Sequence, residues 1–198
     1  GPDWIGRYAS FDLDAVAAAS LGQVHRAVAH DGRALAVKLQ YPEMQSAVEA
    51  DVAQLRTLNT LFRQAERAID PSEAIEEIAA RLREELDDAF EGRHMALYRG
   101  YFAGREDIVA PEPLTGLSTK RLLTMTWLDG IGLLTFKAAP LETRNRIARL
   151  LFEAWWGPMT HIGVIHGDPH LGNYTFAGDA VRLNLLDFGC VRVFPPAF

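Results

Sequence analysis

Cysteine is almost missing from this 198-residue chain. Cys190 is the only one, which excludes an internal disulfide and any multi-cysteine zinc site and makes a reducing compartment the default. A basic surplus is missing too. Twenty Lys and Arg stand against 26 Asp and Glu, giving a formal net charge of −6 and a pI near 5.5, so no nucleic-acid partner is expected. No run reaches 18 uninterrupted apolar residues, so no transmembrane segment is predicted. The most apolar stretch, LLFEAWWGPMTHIGVI, is broken by Glu153, Pro158 and His161 and reads as a buried helix. No signal-peptide pattern opens the chain. What is present, 48% hydrophobic and 23% charged residues, suits one domain with a real core, or two small lobes sharing a cleft.

Periodicity divides the chain into three regions. Between residues 15 and 42, two β-prone runs flank Asp31-Gly32, a hairpin signal. The small residues DAVAAAS before them predict a loop. From Glu43 to about Ala68 the pattern is helical, with Val48, Val52, Leu55, Leu58 and Phe62 on one face. After Asp70-Pro71-Ser72, a second helix is predicted from Ser72, as N-cap, into the nineties, through Ile75, Ile78, Ala79, Leu82, Leu86 and Phe90. RLLTMTWLDG reads as a strand ending in a turn, and LETRNRIARLLFEAWWGPMTHIG as an amphipathic helix. The stretch HGDPHLGN, a hairpin-like NYTFAGDAVRLNLLDFG and a nine-residue tail finish the chain.

HGDPHLGN carries the chemistry. His166 and His170 are four apart, but Gly167, Pro169 and Gly172 oppose the helix that would aim both at a metal, and the glutamate of H-E-x-x-H is missing. A serine or cysteine hydrolase is disfavoured, since no G-x-S-x-G occurs and Cys190 has no local base. A phosphotransfer loop fits better. A kinase-type loop places Asp five residues before Asn, the first to orient the nucleophile and the second to hold magnesium. Asp168 and Asn173 have that spacing. A second acidic ligand follows in Asp187-Phe188-Gly189, and AVK places Lys38 on an upstream strand to engage nucleotide phosphates. Such a lysine needs a carboxylate partner, for which Glu84, Glu85, Asp87, Asp88 and Glu91 are available.

Taken together, AAASLGQVHRA, AVKLQYP, EELDDAFEG, HGDPHLGN and LLDFG resemble the UbiB family of atypical protein-kinase-like proteins, associated with ubiquinone biosynthesis and lipid homeostasis. The resemblance runs from the GPDW start to the DFG segment and favours Gly1-Pro2 as native. It implies an α+β, protein-kinase-like two-lobed fold. Residues 1–128 would form a strand-rich N-lobe with inserted helices, and 129–198 a truncated, helical C-lobe. It also implies that an alanine-rich loop, Ala17-Ala18-Ala19-Ser20 with Gln23 after it, replaces the glycine-rich loop over the phosphates. Alanine loses positive-φ freedom and adds methyls where backbone would approach phosphate, so nucleotide binding should differ. By the same resemblance Glu91 partners Lys38, Glu85 and Asp87 form a regulatory E-x-D pair, and Met125, Thr126, Trp127 and Leu128 form the hinge that meets adenine.

The implied activity is that of a magnesium-dependent ATP/ADP-binding ATPase or phosphotransferase. Implied partners are the nucleotide, a lipid or quinone precursor and quinone-biosynthesis proteins. The expected location is cytoplasmic, peripheral at the inner membrane, or mitochondrial in a eukaryote. Asp88 stands where the family commonly has tyrosine, Gly92 where it has alanine, and Leu171 where proline is frequent. The family's K-x-G-Q motif and the helices after DFG have no counterpart here, so the chain reads as a catalytic-core portion. Two other functions remain open. A small-molecule phosphotransferase of aminoglycoside or choline kinase type also uses an H-G-D loop, and a nucleotide-gated scaffold would keep the residues without the chemistry.

Overall fold

The computed structural model describes residues 3–19, 21–65, 71–178 and 181–195, with side chains for all but 61–65. Ser20 and the end of the first predicted helix lie outside them, as does the side chain of Phe62.

A four-stranded antiparallel sheet comes first, in the order β1 (Ser10–Ala19), β2 (Gly22–Val28), β3 (Ala34–Gln40), β5 (Leu122–Thr126). Asp31-Gly32 makes the β2–β3 turn. Gly32 takes φ +86°, a conformation that favours glycine, and the Asp31 carboxylate accepts from the backbone N–H of Arg33. The stretch expected as a loop before this hairpin is strand instead. Ala17, Ala18 and Ala19 pair with Val24, Gln23 and Gly22. Small residues tolerate the exposed outer strand because little packs on them; Leu13 and Val16 are also exposed there.

Between β3 and β5 lie α1 (Met44–Ala65), α2 (Ser72–Glu85), α3 (Asp88–Tyr101) and the short β4 (Ile108–Val109). Helices α1 and α2 bury Val48, Val52 and Ala79 between them, with Leu82 and Leu86 at the margin; Leu58 and Ile78 are exposed. The single helix predicted from Ser72 into the nineties is two. Asp87 breaks it by accepting from the N–H groups of Ala89 and Phe90, at 3.0 and 3.1 Å, as N-cap of α3. The apolar period runs on through that break, which hid it. Ser72 does not cap α2 either. It is the first helical residue, after Pro71, and its hydroxyl accepts from Asn59.

The remainder comprises β6 (Ile131–Gly132), α4 (Leu141–Ile162), β7 (Val164–His166), β8 (Tyr174–Ala177), β9 (Arg182–Leu185) and β10 (Val191–Val193). Gly163, at φ 64°, ends α4 in the left-handed conformation and turns the chain directly into β7. Strands β4, β9, β8 and β6 form a second sheet, with β4 parallel to β9. The expected tail after DFG contributes β10, which pairs with β7 through Val191 and His166. The largest core cluster joins the first sheet (Leu123, Met125) to α3 (Met95, Tyr98), α4 (Ile147, Leu150) and the second sheet. Phe188 sits within it with no exposed surface.

Phe188→Ala should therefore lower unfolding stability by about 3–5 kcal/mol in urea titrations. Phe152→Ala, at a residue 62% exposed, should stay within about 0.5 kcal/mol.

Candidate active site

Lys38 lies on β3, and the alternation of that strand turns it away from Val37 and towards α3. Its Nζ donates to Glu91 Oε2 at 2.7 Å, with side-chain exposures of 9% and 4%. Asp187 Oδ2 lies 3.8 Å from the same nitrogen. Burial alone would drive the lysine toward its neutral form, but the charges of Glu91 and Asp187 outweigh it and hold the ammonium protonated. Burial pushes the Glu91 carboxyl up from the usual carboxylate range, against the pull of Lys38. The second Glu91 oxygen accepts from the Phe188 N–H at 3.3 Å. One carboxylate thus ties β3 to the DFG segment.

Behind β7 the loop is held by its histidines. The Asp187 carbonyl can only accept, so His166 donates to it from Nε2, at 2.5 Å. The His166 ring is buried beside Tyr98, Tyr174 and Phe188, and Trp155 Nε1 donates to its carbonyl at 2.9 Å. At Gly167 a Cβ would stand 2.4 Å from the Cys190 carbonyl oxygen, so the loop and the DFG turn approach closely only through glycine. His170, unassigned in the sequence, accepts the Gly172 N–H on Nδ1 and caps the short turn Leu171–Asn173. Backbone turns of this kind put half-buried Asp168 at the cleft. Its Oδ2 accepts from Asn173 Nδ2 at 2.9 Å and its Oδ1 from the His170 N–H at 3.2 Å.

That bond leaves Asn173 Oδ1 as the oxygen open to a cation. The Asp187 side chain is about one-third exposed, and with Oδ1 accepting from the Gly189 N–H its Oδ2 is the oxygen left for a cation. The Leu186 N–H bonds to the Asn173 carbonyl at 3.0 Å, which holds the two ligand candidates side by side. Among the described residues no group of three or more His, Cys, Asp or Glu is placed to hold a metal ion. Two oxygen ligands suit magnesium, which typically takes one or two carboxylates and completes its shell with phosphates and water.

Other predicted residues fall farther out. Ala17 and Ala18 are exposed at the end of β1, and Gln23 pairs between Ala18 and Leu39. Ser20 is outside the described residues. Glu85 ends α2 and is near enough to help raise the Cys190 thiol, after burial as the main cause. Asp87 caps α3. In the hinge, the N–H groups of Thr126 and Trp127 donate to the carbonyls of Glu112 and Ala34. Met125 is buried in β5, and Trp127 carries the Arg26 guanidinium 4.8 Å from its ring centroid. Leu128 follows β5 and precedes Asp129, which accepts from Trp127 Nε1. Sequence reasoning missed His94, whose Nδ1 meets the Phe188 carbonyl at 3.3 Å. It is one turn beyond Glu91, a spacing that would have flagged it.

The profile of the ABC1 atypical kinase-like domain matches residues 1–198. The chain belongs to this family. Among its relatives, the atypical kinase COQ8, mitochondrial, of Saccharomyces cerevisiae is 26% identical over all of this chain and 40% of its own length. The probable protein kinase UbiB of Xylella fastidiosa is 30% identical over 92% of this chain and 35% of its own. This ABC1-family chain thus spans well under half the length of these two relatives. Rv3197 of Mycobacterium tuberculosis, solved as a complex with erythromycin, superposes with a TM-score of 0.88 at 30% identity, over 98% of this chain and 49% of that one. The Rio2 kinase of Chaetomium thermophilum shares the kinase-like fold, with a TM-score of 0.56 at 11% identity over 97% of this chain and 51% of that one.

Lys38→Met removes the cation from a buried carboxylate. The Glu91 carboxyl, already raised by burial, then rises further, so the native state binds more protons than the unfolded one above pH ~4.3. Stability relative to the parent should fall as pH rises, by about 3–5 kcal/mol at pH 8 and much less at pH 5. Urea midpoints at the two pH values check this; a gap independent of pH would contradict it.

Proposed function

We propose that this chain is the core of a magnesium-dependent, ATP- or ADP-binding ATPase or phosphotransferase. The observation that carries the reading is the convergence of Lys38, Glu91 and Asp187 from three separate elements, next to the Asp168–Asn173 pair. Residues 1–128 act as an N-lobe and 129–198 as a partial C-lobe, with β4 lending its strand to the second sheet.

In this mechanism Lys38 binds nucleotide phosphates, and Glu91 fixes the direction of its ammonium. Asn173 Oδ1 and Asp187 Oδ2 would hold magnesium, which when bound offsets phosphate charge as phosphoryl is transferred. Asp168 orients the attacking hydroxyl or water and accepts its proton. The Asn173 amide and the His170 N–H keep that carboxylate aimed. The hinge residues Met125 to Leu128 meet adenine through backbone groups other than the engaged N–H groups of Thr126 and Trp127. The exposed Ala17–Ala18 strand end lies over the phosphates in place of a glycine loop, and Glu85 with Asp87 regulates the site. This arrangement favours the ATPase over a scaffold that has lost its chemistry, because no charge the reaction needs is missing.

The names of the COQ8 and UbiB relatives support a role in ubiquinone biosynthesis; the resemblance extends this to lipid homeostasis, and this reading implies a lipid or quinone precursor and quinone-biosynthesis proteins as partners. The name of the yeast COQ8 relative, which calls that protein mitochondrial, supports a mitochondrial setting if this chain is eukaryotic. No helix among the described residues is long and apolar enough to cross a membrane, so attachment through this portion would be peripheral.

A thermal-shift series with ATP and ADP, each with and without magnesium, tests the reading. Asp187→Asn should abolish the magnesium-dependent shift while leaving the ligand-free melting temperature nearly unchanged. Asp168→Asn should keep the shift and lower hydrolysis by about 10²–10⁴-fold. An unchanged magnesium-dependent shift in Asp187→Asn would overturn the metal assignment.

A further inference from the structure

Asp88, at the first position of α3, has a side chain the mechanism above does not use. It is 1% exposed, and neither carboxylate oxygen has a hydrogen-bond partner among the described residues. Its backbone N–H donates to the Lys120 carbonyl. The groups whose charge or dipole it feels include Lys38 and Gln40 on β3, Glu91 on α3 and the N-cap Asp87. Gln40 draws the Asp88 carboxyl down more than Lys38 does, yet its amide nitrogen donates to the carbonyls of Leu86 and Lys120, at 2.9 and 3.4 Å, and reaches neither Asp88 oxygen at hydrogen-bond distance. A first-turn aspartate gains from the helix dipole, but that benefit does not require a dry carboxyl without partners. Lys38 pairs with Glu91 at 2.7 Å and Asp187 at 3.8 Å; Asp88, one helical turn before Glu91 on the same face of α3, acts on its ammonium from farther away.

We propose that Asp88 is a positioning residue whose charge is switchable: by taking up or releasing a proton beside Lys38, it sets how much positive potential the ammonium offers to a nucleotide's phosphates. The inference rests on the nucleotide-binding reading and deepens it. With all three carboxyls ionised, the cluster carries two excess negative charges, which oppose an anionic ligand. A proton on Asp88 removes one of them. Burial is the main cause that lifts this carboxyl to about 7, and Glu91 and Asp87 add to it, while Gln40 and Lys38 pull the other way. Both forms are then populated near neutrality. A phosphate brought to Lys38 favours the neutral form, so binding takes up a proton, and affinity falls as pH rises.

The sign for the ligand-free protein is also fixed. Between the unfolded carboxyl value and about 7 the native state holds the extra proton, so stability falls as pH rises through that window and levels off above it.

Two measurements on the full chain test the inference. Calorimetric titration with Mg-ADP at pH 7, in two buffers of unequal ionisation enthalpy, should show uptake of about half a proton for the parent and markedly less for Asp88→Asn. Parent affinity should fall at least about five-fold from pH 6 to pH 8, against a much flatter profile in the variant. Without nucleotide, the melting-temperature advantage of Asp88→Asn over the parent should widen from pH 5 to pH 7.5. Equal proton uptake and equal pH profiles in the two proteins, or parallel ligand-free stability profiles with binding intact, would overturn the inference alone. Absence of Mg-ADP binding to the parent would overturn the nucleotide reading and the coupling with it, whatever the ligand-free profiles show.

Discussion

A buried ammonium cannot remain charged without an anion beside it, and in this fold the anion for Lys38 comes from 53 residues away. The 2.7 Å contact with Glu91 therefore constrains much more than two side chains. It sets the face that α3 presents to β3, and through the second Glu91 oxygen it fixes the backbone of Phe188. Phe188 in turn fills the core on which α3, α4 and both larger sheets close. Removing one partner of such a pair costs far more than the pair contributes net. The arrangement is best understood as specifying geometry, with the apolar core supplying stability.

The polar groups around this pair are arranged in two tiers. Asp168, Asn173 and Asp187 retain partial exposure and free oxygen valences, as ligands and bases require. His166, Trp155, His94 and Gly167 are committed to backbone carbonyls or close approaches, and serve to hold the loops. Asp88 belongs to neither tier. It is buried like the supports, yet no hydrogen bond commits its carboxylate, and its charge is felt by Lys38.

Much of this was legible in the chain because local signals coincide with local structure. Asp31-Gly32 marks its hairpin, Gly163 its helix end, and the Asp168-to-Asn173 spacing brings those two side chains into contact within one loop. The choice of Glu91 among five acidic residues needed the family resemblance, since no period in RLREELDDAFE identifies the residue that faces a strand 53 positions earlier. The break between α2 and α3 was hidden for a related reason. Leu86 and Phe90 keep the apolar rhythm going while the Asp87 carboxylate ends the helix. Composition misled at Ala17–Ala19, where strand pairing to β2 overrides weak β propensity. The support given by β10 to β7 is a tertiary fact that three residues of β-prone tail could not announce.

The central claim is that β3, α3 and the DFG segment converge to make one magnesium–nucleotide site. Crystals of the protein grown with Mn²⁺ and ADP would test it most directly, because manganese can stand in for magnesium and scatters anomalously. The account predicts an anomalous peak in contact with Asp187 and Asn173, with a phosphate oxygen of the nucleotide within hydrogen-bond reach of Lys38 Nζ. A nucleotide bound elsewhere, or a manganese peak away from both residues, would contradict it.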